Sequence, residues 1–269
     1  MADSIFLAEG EHFVPTEQAR GPWDPGALHG GALAALIATA FEQHEPVPGV
    51  LLARMGFELL RPIPFVPLTV AVRTVRPGRR VQELAAEVHA EGDGRGSELI
   101  CRASALRLQE IGPDLPELPD GTSATAAMPG PQEGLPVRFA LNREVDETSF
   151  AASAMEMRWL DDPEQLGPGR VWMRLRHPLV DEQHASPLAR LAATADFANG
   201  ISASLPFEEF LFINADLHVH LHRQPRGEWI GIDARTLLEP RGTGLSDSVL
   251  HDVEGPVGRG FQALVVSAR

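Results

Sequence analysis

The stretch 28-LHGGALAALIATAFEQ-43 decides how the rest of the chain is read. A Gly-Gly step opens a run that is nearly all Ala, Leu and Ile. The run predicts a helix over residues 29–43, with Leu33, Leu36, Ile37, Ala40 and Phe41 as its apolar stripe. Ala32, Ala34, Ala35 and Ala38 are small enough to let a sheet lie close around it. Glycine is a poor helix residue but fits where a backbone comes close to something. The step at Gly30-Gly31 therefore predicts a close approach. From Gly31 to Phe41 the apolar run is too short to span a bilayer.

Working outward, the helix is followed by RMGFELLRPIP and then by PLTVAVRTVRPGRRVQELAAEVHAEGDGRGSELICRASALRL. Val70, Val72 and Val75 fall in a β-rich run. Pro77-Gly78 and Gly92-Asp93-Gly94 mark turns, so the stretch reads as three strands. The same order recurs later: a helix over 186–201, started by the Ser186 N-cap and Pro187, then NADLHVHLHRQP, then a second set of strands to the C-terminus. A shift of 161 residues lays the strands of one half on the other without a gap, bringing Leu60, Pro64 and Arg80 onto Leu221, Pro225 and Arg241. Between the halves, residues 110–136 hold six prolines and little periodicity, which reads as a linker. The expected units are 1–109, the linker 110–136, and 137–269. Antiparallel strands joined by short turns, with a long helix ahead of them, make an α+β layer in each half.

Composition narrows the function. The chain has 269 residues and a net charge of −14, which argues against nucleic acid and anionic membranes as partners. The single cysteine, Cys101, rules out a disulfide framework within the chain and fits a cytoplasmic setting. The N-terminal MADSIFLAEGEHF has early acidic residues and no long apolar core, unlike a signal peptide.

In their order, WDPGALHGGALAALIATAF, FELLRPIP and PGRRVQELAAEV resemble a hotdog-fold thioesterase domain. The second half resembles the C-terminal hotdog of the acyl-CoA thioesterase II family. The resemblance implies a double hotdog, an acyl-CoA or related thioester as substrate, hydrolysis by direct water attack, no cofactor and no metal. It also implies a homo-oligomer, since hotdog sheets pair edge to edge in related proteins. The family carries an Asp on one hotdog helix, a Thr or Ser at the start of the next strand, and a Gln on the last strand. Asp196 and Gln262 match, and Asn214 stands where the Thr or Ser would be. By that resemblance Asp196 is the general base, while Asn214 and Gln262 position the water and the carbonyl. The first half has Ala53 and Cys101 at the shifted positions, so one water-activating site per chain is expected.

The residues support part of this on their own. Asp196 falls on the stripe Leu188, Leu191, Ala192, Ala195 and Asn199, and a carboxylate on a buried face is costly unless it is paired or used in chemistry. Gln262 lies in an otherwise apolar strand, and its amide offers both a donor and an acceptor. Free N–H groups at a helix N-terminus stabilise developing negative charge, which makes His29, Gly30 and Gly31 the candidate oxyanion site. A turn that needs glycine for its backbone angles is the plainer alternative. His218, His220 and His222 alternate on one strand face, leaving a metal-dependent hydrolase as a rival and a polar outer sheet face as the plainer reading. Strict alternation puts Asn214 on that same face, so a bulge near Asp216 is needed to turn it inward. A non-catalytic acyl-CoA-binding protein is the other rival. Cys101, mid-strand among apolar residues, is not expected to be a nucleophile. Arg76, Arg79 and Arg80, or Arg223 and Arg226, could meet coenzyme A phosphates, but a solvated charged turn is the better reading and they are not counted among the site residues.

Overall fold

Each run of period-two hydrophobicity becomes a strand, and the strands join across the chain into one sheet. The computed structural model describes residues 4–24, 26–92, 96–112, 116, 128–138 and 148–269. In the first half, β1 (Phe6–Glu9) and β2 (His12–Pro15) precede helix α1 (Gly30–Gln43). Then come β3 (Val50–Leu59), β4 (Leu68–Arg76), β5 (Val81–Gly92) and β6 (Gly96–Gln109). In the second half, β7 (Leu135–Pro136), β8 (Met155–Trp159) and β9 (Gly169–Leu175) precede α2 (Pro187–Ala195) and α3 (Ala198–Ile201). β10 (Phe210–Asn214), β11 (Asp216–Leu221), β12 (Ile230–Glu239), β13 (Thr243–Asp252) and β14 (Gly255–Ala268) complete it.

The sheet order is β1-β2-β4-β5-β6-β3-β11-β14-β13-β12-β9-β8-β7, with β10 also on β14. The order β4-β5-β6-β3 is mirrored by β12-β13-β14-β11, as the 161-residue shift requires. The halves join where β3 and β11 pair antiparallel, with Phe57 opposite Leu217. The sheet wraps a helical layer in each half, which is a double hotdog. The hairpins ahead of each helix, β1–β2 and β8–β9, have no counterpart in the sequence reading. Most of the Pro-rich stretch 110–136, and the turn at Asp93-Gly94, lie outside the described residues. Residues 128–138 lie against the second half: Leu135 pairs with Trp159, and Trp172 Nε1 donates to the Pro129 carbonyl at 2.6 Å. The opposite end also crosses over, since Ile5 and Phe6 N–H donate to the carbonyls of Pro178 and Leu179.

The two helices lie side by side and run in opposite directions. At one end Gly31 meets Ala193; at the other, the Ser186 hydroxyl, itself the cap of α2, donates to Glu42 at 2.6 Å. Burial pushes the Glu42 carboxyl up from its usual range, partly countered by that hydrogen bond. Leu33, Leu36, Ile37 and Phe41 of α1 are all but fully buried, each contributing about 1.5–3 kcal/mol of apolar burial. Arg107 closes the far end of α1, donating to the carbonyls of Phe41, His44 and Glu45 that the helix leaves open.

The expected helix over 186–201 is broken. It stops at Ala195, with Asp196 as its C-cap, and resumes at Ala198. The cause lies far away in sequence. The Gln262 amide donates to the Asp196 carbonyl at 3.0 Å and accepts from the Asn199 N–H at 3.1 Å. A side chain inserted into the helical ladder takes over two of its bonds, and the helix bends there.

Candidate active site

Two local irregularities present Asp196. One is the helix break, which lifts Asp196 out of regular helix. The other is a bulge in the strand that runs through β10 and β11. Against β14, Asn214 faces Leu264 while His218 faces Phe261, so one strand carries an extra residue at Ala215. The bulge reverses side-chain parity. Beyond it Leu217 and Val219 are buried and His220 is exposed; before it Phe212 is buried and Ile213 exposed. Asn214 therefore turns inward, away from the face of His218 and His220. Its Nδ2 donates to Asp196 Oδ1 at 2.9 Å and to the Asp216 carbonyl at 3.2 Å.

The Gly-Gly step approaches this carboxylate from the other half. A Cβ on Gly30 would lie 2.7 Å from Asp196 Oδ2 and 2.9 Å from Oδ1; one on Gly31 would lie 2.6 Å from the Ala193 carbonyl oxygen. Both glycines are thus needed for closeness, but to different neighbours. His29 caps α1: its Nδ1 accepts the Gly31 N–H at 2.9 Å and lies 3.1 Å from Asp196 Oδ2. The imidazole packs against Phe197 and Phe150, with ring centres 4.4 and 5.0 Å away.

These groups open onto a cleft of about 510 Å³ between the halves. Trp23, Leu28, His29, Gly30 and Ile63 line it from one side; Asp196, Asn199, Leu211, Asn214 and Val265 line it from the other. Its walls are largely apolar, with Asp196, Asn214 and His29 as convergent polar groups, the usual composition of a small-molecule site.

The expected site residues fall at different places around the cleft. Gly31 is not a free oxyanion donor, because its N–H is bonded to His29 and it does not line the cleft. Gly30 does line it, and no bond to its N–H is found among the described residues. Gln262 is fully buried and absent from the lining, with its amide bonded to the Asp196 carbonyl and the Asn199 N–H at the helix break. Asn214 lines the cleft, but both its N–H groups are engaged, one of them on Asp196. Trp23, Ile63, Leu211 and Val265 went unrecognised. Trp23 sits in the Pro- and Gly-rich segment 21–26, where no periodicity marks it.

The remaining candidates lie elsewhere. His218 is partly exposed on the outer sheet face, over Gly56 of the neighbouring strand. Among the described residues, no group of three His, Cys, Asp or Glu side chains is placed to hold a metal ion. Cys101 is buried, and burial with the nearby Glu58 charge pushes its thiol up to about 12, so little thiolate exists near neutrality. Arg223 is bound to Asp252 and Arg226 to Glu254, away from the cleft. Among the described residues, the arginine that lines the cleft is Arg61, paired with Glu98. Among the described residues no helix is long and apolar enough to cross a membrane.

Residues 19–108 match the family model of the acyl-CoA thioesterase N-terminal domain, and residues 120–266 that of the C-terminal domain. No curated protein matches the chain in sequence. Among solved structures, a hot dog fold protein of unknown function from Alicyclobacillus acidocaldarius is 16% identical, with a TM-score of 0.70 over 98% of this chain and 96% of its own. The acyl-CoA thioesterase II TesB2 of Mycobacterium marinum is 18% identical, with a TM-score of 0.63 over 94% and 96%. The tesB protein of Mycobacterium avium is 15% identical, with a TM-score of 0.62 over 97% and 96%.

Proposed function

Because the chain belongs to the acyl-CoA thioesterase family and is a thioester hydrolase, we propose that it cleaves acyl-CoA by direct attack of a water that Asp196 deprotonates. The observation that carries this is the meeting of the Asp196 carboxylate with Gly30, from opposite halves, at the wall of one cleft. A base and a free backbone N–H at a helix N-terminus then face the same carbonyl.

The steps follow from the groups present. Asp196 takes a proton from water, and the water oxygen bonds to the thioester carbon. The carbonyl oxygen becomes an oxyanion, stabilised by the Gly30 N–H and the positive end of α1. Collapse of the tetrahedral species breaks the C–S bond, and the proton on Asp196 passes to the departing sulfur. His29 is a positioning residue: its Nδ1 accepts the Gly31 N–H and so holds the start of α1 beside Asp196 Oδ2.

Asn214 and Gln262 are positioning residues in this scheme. Asn214 supplies the single donor to Asp196 that a Thr or Ser hydroxyl would supply, so the departure from the family pattern keeps the contact. The test is release of free thiol from short, medium and long acyl-CoAs by wild type and Asp196→Asn. Loss of a general base lowers kcat by about 10²–10⁴-fold. A variant as active as wild type would overturn the assignment.

A further inference from the structure

Two spaces open from the contact between Asp196 and Gly30, and they differ in kind. The first is the wide, open cleft. The second is a recess of about 10 Å³, with room for roughly one water-sized body. Leu33, Ala34, Ile37, Phe57, Cys101 and Leu217 line it, and Gly30, Leu59 and Asp196 border both spaces. Gly30, Leu33, Ala34 and Ile37 recur at helical spacing. Its lining residues therefore follow one face of α1 for about 10 Å, roofed by β3, β6 and β11. Apart from Asp196 its lining is apolar.

A thioester has two arms leaving its carbonyl. The coenzyme arm carries amides and phosphates that must stay in contact with water, so it takes the open cleft, where Arg61 also stands. The acyl arm is left with the recess. We propose that this recess limits the acyl group to about the two carbons of an acetyl, making the enzyme selective for acetyl over longer acyl thioesters. Longer chains must displace Leu33 and Ile37, which are fully packed between the helix and the sheet, and such interiors yield little. This proposal rests on the thioesterase reading above.

The experiment measures kcat/KM for acetyl-, butyryl-, hexanoyl- and decanoyl-CoA with wild type, Leu33→Ala, Ile37→Ala and Ala34→Val. Wild type is expected to lose about tenfold or more between acetyl- and butyryl-CoA. The two alanine variants should raise the ratio of butyryl- to acetyl-CoA turnover by a similar factor, and Ala34→Val should lower that ratio further. Each ratio is read on one preparation, so partial loss of folded protein cancels. If an alanine variant does not fold, Ala34→Val decides. Wild-type activity that holds steady or rises to decanoyl-CoA, or ratios that no foldable variant changes, would overturn the recess assignment alone, provided that Asp196→Asn still abolishes turnover. No hydrolysis of any chain length would overturn the thioesterase reading as well.

Discussion

The adjacent glycines at the start of α1 should respond to the same substitution in different ways. In Gly30→Ala the new methyl carbon falls 2.7 Å from Asp196 Oδ2 and 2.9 Å from Oδ1. A free carboxylate would swing aside cheaply, but this one is held by Asn214 Nδ2 at 2.9 Å and faces His29 Nδ1 at 3.1 Å. Moving it breaks its bond to Asn214 and takes the base off its water. We expect kcat to fall at least 100-fold, about 2.7 kcal/mol of transition-state stabilisation. Folding stability should fall by only about 1 kcal/mol, for the lost bond between Asn214 and Asp196. In Gly31→Ala the methyl carbon falls 2.6 Å from the Ala193 carbonyl oxygen, a backbone atom that cannot step aside. The helices must part, at a cost of about 1–3 kcal/mol typical of overpacking. For a chain of this size that lowers Tm by several degrees. Thermal melts followed by circular dichroism, with thiol release measured below the transition, separate the two effects. Gly30→Ala retaining wild-type turnover, or melting earlier than Gly31→Ala, would refute the assignment of the two glycines.

Gln262→Leu leaves the Asp196 carbonyl and the Asn199 N–H without their buried partner, so stability should fall by about 2 kcal/mol. As the helix relaxes toward regular geometry, kcat should drop more than KM changes; paired melts and Michaelis–Menten curves check this, and full kcat would remove Gln262 from a positioning role. Separately, His251 is buried, its Nδ1 has no partner among the described residues, and burial pushes its pKa down from 6.5 to about 4. The unfolded chain then binds the proton first, so this residue's contribution is whole above pH 6.5 and is lost as pH falls toward 4, about 3 kcal/mol in all. Melts from pH 7 to 4 should therefore show a shallower loss of Tm in His251→Leu than in wild type; equal slopes would refute the account.

Sequence alone determined the parts whose physics is local. The apolar stripe and small residues of 29–43 make a helix wherever they are placed, and period-two runs bounded by Gly and Pro make strands. Their repetition after 161 residues fixed the double layer without any long-range information. Residue type also singled out Asp196, because a carboxylate amid buried positions needs a reason. Tertiary structure decided what depends on groups distant along the chain. The helix expected over 186–201 is interrupted at Asp196 because Gln262, 66 residues later, takes over two of its bonds. Asn214 reaches Asp196 because the strand gains a residue at Ala215, and alternation cannot foretell on which side of a bulge a residue will face. Gly30 and Gly31 are equivalent in sequence, yet one borders the cleft and the other lies against Ala193. That difference comes from how two helices from separate halves pack, and no local pattern encodes the register of one helix against another.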